Sequence, residues 1–191
     1  MDLAVNDQQK KRLHPHKFTL WVAIASILMM FAGLTSAFIV KSNLVGWSQI
    51  KMPNLFWFST GVIVLSSLTI QMALRSFRQR EMGTYRLLMA ATLLLGIAFL
   101  VLQWFAFMEL WQKQHIVLRQ SAGAGQFLYV IFGLHALHVV GGVIVLLVMF
   151  IKAFFGKLKL YSSVPVEVAA TYWHFVDLLW IYLLVFFIVI G

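Results

Sequence analysis

Two short runs of this chain combine residue types that can carry chemistry. TYWHFVDLLW, residues 171–180, holds His174 and Asp177, and YVIFGLHALHVVGG, residues 129–142, holds His135 and His138. Both pairs are spaced i, i+3, so each lies along one face of a helix. Three imidazoles and a carboxylate are an acceptable ligand set for zinc, iron or manganese. The hydrolytic motif H-E-x-x-H is absent, because His135 and His138 frame Ala136 and Leu137 and leave no general base between them. The plainer reading is a hydrogen-bonded structural cluster. An ionisable side chain near a bilayer centre costs at least roughly 2.5 to 3.5 kcal/mol on insertion scales, so it faces protein and needs a partner.

The elements that position these residues follow from composition. Of 191 residues, 62% are hydrophobic and only 11% are charged, with a mean hydropathy of +0.89. Apolar windows of about 20 residues span a hydrocarbon core of roughly 30 Å as helix. Five occur, at approximately 18–40, 55–77, 87–111, 127–151 and 168–190. The expected fold is all-α, a polytopic membrane bundle of five transmembrane helices. Residues 1–17 form a polar, basic N-terminal segment, and 18–191 form one membrane domain with no soluble catalytic module. The first apolar stretch is longer than a signal-peptide core and lacks a small-residue cleavage pattern, so it reads as a retained anchor. With no cysteine, disulfides, thiolate ligands and cysteine nucleophiles are excluded.

Depth along the spans suggests which polar groups meet. Counted from the outer ends at about 1.5 Å per residue, Gln103 and His135 lie about 12 Å deep, His138 about 17 Å and Asp177 about 20 Å. The third, fourth and fifth helices are therefore expected to be neighbours, with Asp177 or His174 sharing a cluster with His138. Gln71 falls near the inner end of the second span. Glu109 reads as a headgroup-level residue. Glu167, two residues after Pro165, suits the first turn of the last helix. The pair Gly141 and Gly142 allows close helix approach. Turns are expected at Pro53 and Asn54, at Gly83, and over residues 121–125.

The formal net charge of +9 is a topology signal rather than a nucleic-acid signal. Eleven of the fifteen basic residues fall on one side: Lys10, Lys11, Arg12 and Lys17; Arg75, Arg78, Arg80 and Arg86; Lys152, Lys157 and Lys159. Lys41, Lys51, Lys113 and Arg119 fall on the other. The positive-inside rule then places the N-terminus in the cytoplasm and the C-terminus in the periplasm. Arg86 and Lys152 are candidate contacts for lipid headgroups.

From Arg86 onward the chain resembles subunit III of haem-copper terminal oxidases. YVIFGLHALHVVGG resembles that family's paired-histidine helix. VEVAATYWHFVDLLW, residues 166–180, resembles its final helix, and LLLGIAFLVLQWF, residues 93–105, the preceding one. Lys152 stands where many members carry arginine. Five spans correspond to the short bacterial form. Two departures stand out. The family's glutamine is usually followed three residues later by glutamate, whereas Gln103 is followed by Ala106, with Glu109 one turn further on. The first span lacks the family's buried glutamate and has Ser26 near that position.

The resemblance implies a subunit without haem or copper, packed against catalytic subunit I with subunit II in the same complex. It implies bound structural phospholipids, support of proton uptake and resistance to turnover inactivation. On that reading the chain has no active site, no catalytic residue and no metal of its own. Gln103, His135, His138, His174 and Asp177 fix helix packing, in a bacterial cytoplasmic membrane. Cytochrome c is the expected electron donor. The alternatives are a quinol oxidase subunit, an accessory homologue in nitric-oxide reduction, a stand-alone membrane metalloenzyme, and, ranked last, a proton-coupled transporter.

Overall fold

The computed structural model describes residues 15–42, 55–113, 124–155 and 163–190. They form five helices: α1 Pro15–Ser42, α2 Leu55–Arg78, α3 Met82–Lys113, α4 Ala124–Phe155 and α5 Val164–Ile190. All five are long and apolar enough to cross a membrane. The expected turn at Pro53 and Asn54, and the basic residues Lys10, Lys11, Arg12, Lys51, Arg119, Lys157 and Lys159, lie outside the described residues. So do residues 121–123 of the third expected turn, whereas Ala124 and Gly125 already belong to α4.

One boundary differs from expectation for a local reason. α3 begins at Met82, so Gly83 sits in its first turn and the reversal is made by residues 79–81. There α2 ends in a Schellman arrangement. Glu81 N–H donates to Ser76 C=O at 3.0 Å, and Arg80 N–H donates to Phe77 C=O at 3.2 Å. The left-handed position, normally glycine, is Arg80 with φ 65°. Phe77 and Tyr85 then pack edge to face across the turn at 5.0 Å.

α2 carries a heptad stripe of buried residues: Phe56, Ser59, Ile63, Ser66, Ile70, Ala73 and Phe77. Small residues on alternate levels let the α2 and α3 backbones run close together, and this is the most extensive helix pair. α5 is the centre of the bundle. It packs against α1, α2 and α4, and half of its most apolar window is buried, against a third or less in the other spans. The third, fourth and fifth helices meet differently from expectation. α3 packs on α4 and α4 on α5, but the α3 and α5 backbones do not approach each other among the described residues. Two fully buried indoles of α5 fill the gap. Trp180 meets Phe99 edge to face at 5.4 Å, and Trp173 lies over Gly96 and Gly142.

A Cβ at Gly142 would stand 2.9 Å from the Trp173 ring, whereas one at Gly141 would meet only the Tyr172 hydroxyl at 3.9 Å. Gly142→Val is therefore expected to destabilise the bundle by about 1 to 3 kcal/mol through overpacking. Gly141→Ala should be neutral or stabilising by up to about 1 kcal/mol. Thermal melting of the two variants in native-like bilayers checks the contrast; equal melting temperatures would contradict the packing described.

Candidate functional site

The polar side chains of α5 find their partners mainly on α2. The Trp173 indole N–H donates to Ser66 Oγ at 3.0 Å, and the Trp180 indole N–H donates to Thr60 Oγ1 at 3.0 Å. Between them, His174 is bonded on both nitrogens: Nδ1 to Ser67 Oγ at 2.5 Å and Nε2 to Gln71 Oε1 at 3.3 Å. An amide oxygen only accepts, so Nε2–H donates to Gln71 and Nδ1 accepts from the Ser67 hydroxyl. Ser66 and Thr69 extend the seam to α3, meeting the Thr92 carbonyl at 3.4 Å and the Thr92 hydroxyl at 2.9 Å. The serines and threonines of α2 were not singled out in the sequence. Their signal is the hydroxyl at every seventh position, Ser59 and Ser66, within the buried stripe.

Asp177 is 4% exposed and lies beside Ser67, yet neither carboxylate oxygen completes a hydrogen bond with a described residue. The expected meeting of Asp177 or His174 with His138 does not form. His138 lies instead at the α1–α4 contact, edge-on to Phe31 at 5.9 Å, with Nδ1–H donating to its own helix at Leu134 C=O, 2.7 Å away. The physical reason is rotation about the helix axis. Depth matches these residues, but His174 points from α5 towards α2, on another side of the bundle from His138. Gln103 and His135 do come together. Both are buried and both line one narrow space between α3, α4 and α5. Among the described residues, no three His, Asp or Glu side chains converge as metal ligands do.

At the opposite end of α5, Glu167 joins three helices. Its Oε2 accepts from Lys17 Nζ of α1 at 2.7 Å. Its Oε1 accepts from the Arg78 guanidinium of α2 at 3.1 Å and from Ser163 Oγ at 2.7 Å. The first-turn placement expected for Glu167 holds, and Lys17 and Arg78 are partners that local sequence does not reveal. They flank a groove of about 270 Å³ between α1 and α2, walled by Leu20, Trp21, Leu74 and Val168 and floored by α5. Arg86 Nε–H donates to Ala153 C=O at 2.8 Å and its guanidinium lies 5.9 Å from the Phe154 ring centre. Its neighbour Lys152 is exposed. Glu109 is half-buried near the end of α3, and Ala106 is fully buried one turn earlier. Ser26, on α1, is exposed.

Residues 12–191 match the family model described as cytochrome c oxidase subunit III. A probable cytochrome c oxidase subunit 3 of Mycobacterium leprae is 31% identical over 84% of this chain and 80% of its own length. Cytochrome c oxidase subunit 3 of Bacillus subtilis is 26% identical over 85% of this chain and 80% of its own, and that of Bacillus sp. strain PS3 is 29% identical over the same shares.

If the α2–α5 bonds hold the helices in register, Ser67→Ala and His174→Ala should be coupled. A double-mutant cycle on unfolding in bilayers is expected to give about 0.6 kcal/mol, at most about 1.7, the range for interhelical hydrogen bonds. The cycle for His138→Ala and Asp177→Ala should give no coupling. The reverse pattern would restore the cluster that depth alone suggested.

Proposed function

Because this chain belongs to the cytochrome c oxidase subunit III family, membrane components of terminal oxidases, we propose that it is the redox-inactive subunit III of a proton-pumping oxidase. On this reading it sits in a bacterial cytoplasmic membrane against catalytic subunit I, with subunit II in the same complex. Cytochrome c delivers the electrons, and oxygen is reduced at haem and copper held by the partner chains. One observation carries the reading. His135, His138, His174 and Asp177 are distributed over three different helix contacts, and His174 spends both ring nitrogens on bonds to Ser67 and Gln71 that tie α5 to α2. A stand-alone metalloenzyme would need them to converge.

The finer assignments rest on the distribution of charge. Eleven basic residues on the side of Lys17, Arg78 and Arg86 support a cytoplasmic N-terminus. On that face Lys17 and Arg78 outnumber Glu167 at a groove whose other lining includes Leu20, Trp21, Leu74 and Val168, and Arg86 and Lys152 lie close to the end of α4. These are the features that an anionic phospholipid headgroup and its acyl chain fit. The subunit thereby supports the stability of subunit I and its proton uptake. Cytochrome c is preferred over quinol because both the family model and the relatives described above carry the cytochrome c oxidase name.

Affinity purification of the tagged chain from native membranes in mild detergent tests this. The expected eluate carries haem in a reduced-minus-oxidised spectrum and consumes oxygen with reduced cytochrome c. Oxygen uptake with quinol alone would move the chain to a quinol oxidase. A haem-free eluate holding a stoichiometric transition metal that His138→Ala abolishes would replace the reading with the metalloenzyme, given a control oxidase that survives the detergent.

A further inference from the structure

Gln103 and His135 present a hydrogen-bonding problem that the helix contacts leave unsolved. Gln103, 6% exposed on α3, donates from Nε2 to Ser59 Oγ at 3.0 Å, and the Ser59 hydroxyl donates in turn to Phe56 C=O at 2.9 Å. That arm is complete. Its Oε1 accepts nothing from the described residues. Opposite it on α4, His135 is 2% exposed and meets no described partner on either ring nitrogen. Whichever tautomer it adopts, a neutral imidazole offers one N–H donor and one acceptor nitrogen. Leaving such groups unpaired inside a membrane protein is costly, because hydrocarbon supplies no substitute.

The two residues line the same small space. It is closed by Phe99, Phe107, Phe132 and Trp180 and amounts to about 10 Å³, the lower end of the roughly 10 to 15 Å³ that the centre of one water needs. Apolar cavities of this kind stay dry, and polar ones with two or more partners hold water. We propose that this space is a binding site for one ordered water molecule, which donates to Gln103 Oε1 and bonds a ring nitrogen of His135. No charged side chain lines it, which argues against an ion, and the aromatic walls leave no room for a larger ligand. The water completes a chain running from Phe56 C=O through Ser59 and Gln103 to His135. It thereby links α2, α3 and α4 at one level.

The test is a map of the intact membrane complex, by electron cryo-microscopy at about 2 Å, with a second map of the Gln103→Leu variant. The wild-type map is expected to show a separate peak within about 2.6 to 3.2 Å of both Oε1 and one imidazole nitrogen. That peak should be lost in Gln103→Leu. A direct bond between Oε1 and the ring, side-chain carbon filling the space, or a peak that persists unchanged in the variant would each overturn the proposal. Should Gln103→Leu fail to assemble, the wild-type map decides alone.

Discussion

Hydrocarbon offers no hydrogen-bond partner, and that constraint governs how the five helices are arranged around α5. Two indole N–H groups and an imidazole on α5 all turn to the hydroxyls and amide of α2. Each such bond contributes little, about 0.6 kcal/mol on average. Their value is in register. Sliding or rotating α5 would leave several donors unmatched at once, whereas the correct placement satisfies Trp173, His174 and Trp180 together.

The packing follows from the same placement. With its N–H tied to Ser66, the Trp173 ring lies against Gly96 and Gly142; a side chain at Gly142 would collide with it, and one at Gly96 would press tightly on it. Trp180, tied to Thr60, sits in a cluster with Phe56, Phe99, Phe132 and His135, at ring-centre distances of 5.4 to 5.6 Å. Close helix approach and a large buried aromatic surface therefore depend on the same two residues. Glu167 anchors the far end of α5 to α1 and α2 through Lys17 and Arg78. Those pairs are partly exposed, so they help to orient the helices more than they stabilise them.

Much of this was legible in the sequence because membrane helices announce themselves by length and hydropathy, and the five spans emerged within a few residues. Depth was legible too, since rise per residue is constant, and it placed Gln103 level with His135. Rotation about the axis was not. It depends on which neighbour each face meets, so His138 was matched to Asp177 by level while lying at the contact with α1. The hydroxyls of α2 give no signal of their cross-helix bonds in the sequence, because serine and threonine in an apolar helix usually bond their own backbone. Ser59, Thr60 and Thr69 do so here. Their second contacts, to Gln103, Trp180 and Thr92, exist only in the assembled bundle. Arg80 gave no sign of a left-handed turn, because the expected glycine stands three residues later at Gly83.

In a redox-inactive subunit of the kind proposed, the α2–α5 bonds hold a scaffold and take no part in redox chemistry. Replacing Thr60 with Val and Ser66 and Ser67 with Ala in one chain, then measuring its retention in the purified oxidase together with initial oxygen uptake per haem, tests this most directly. The expected result is reduced retention and lower thermal stability, with unchanged initial uptake per haem. Full retention at unchanged stability would contradict the scaffold role, and full retention with lost uptake would place these residues in the chemistry itself.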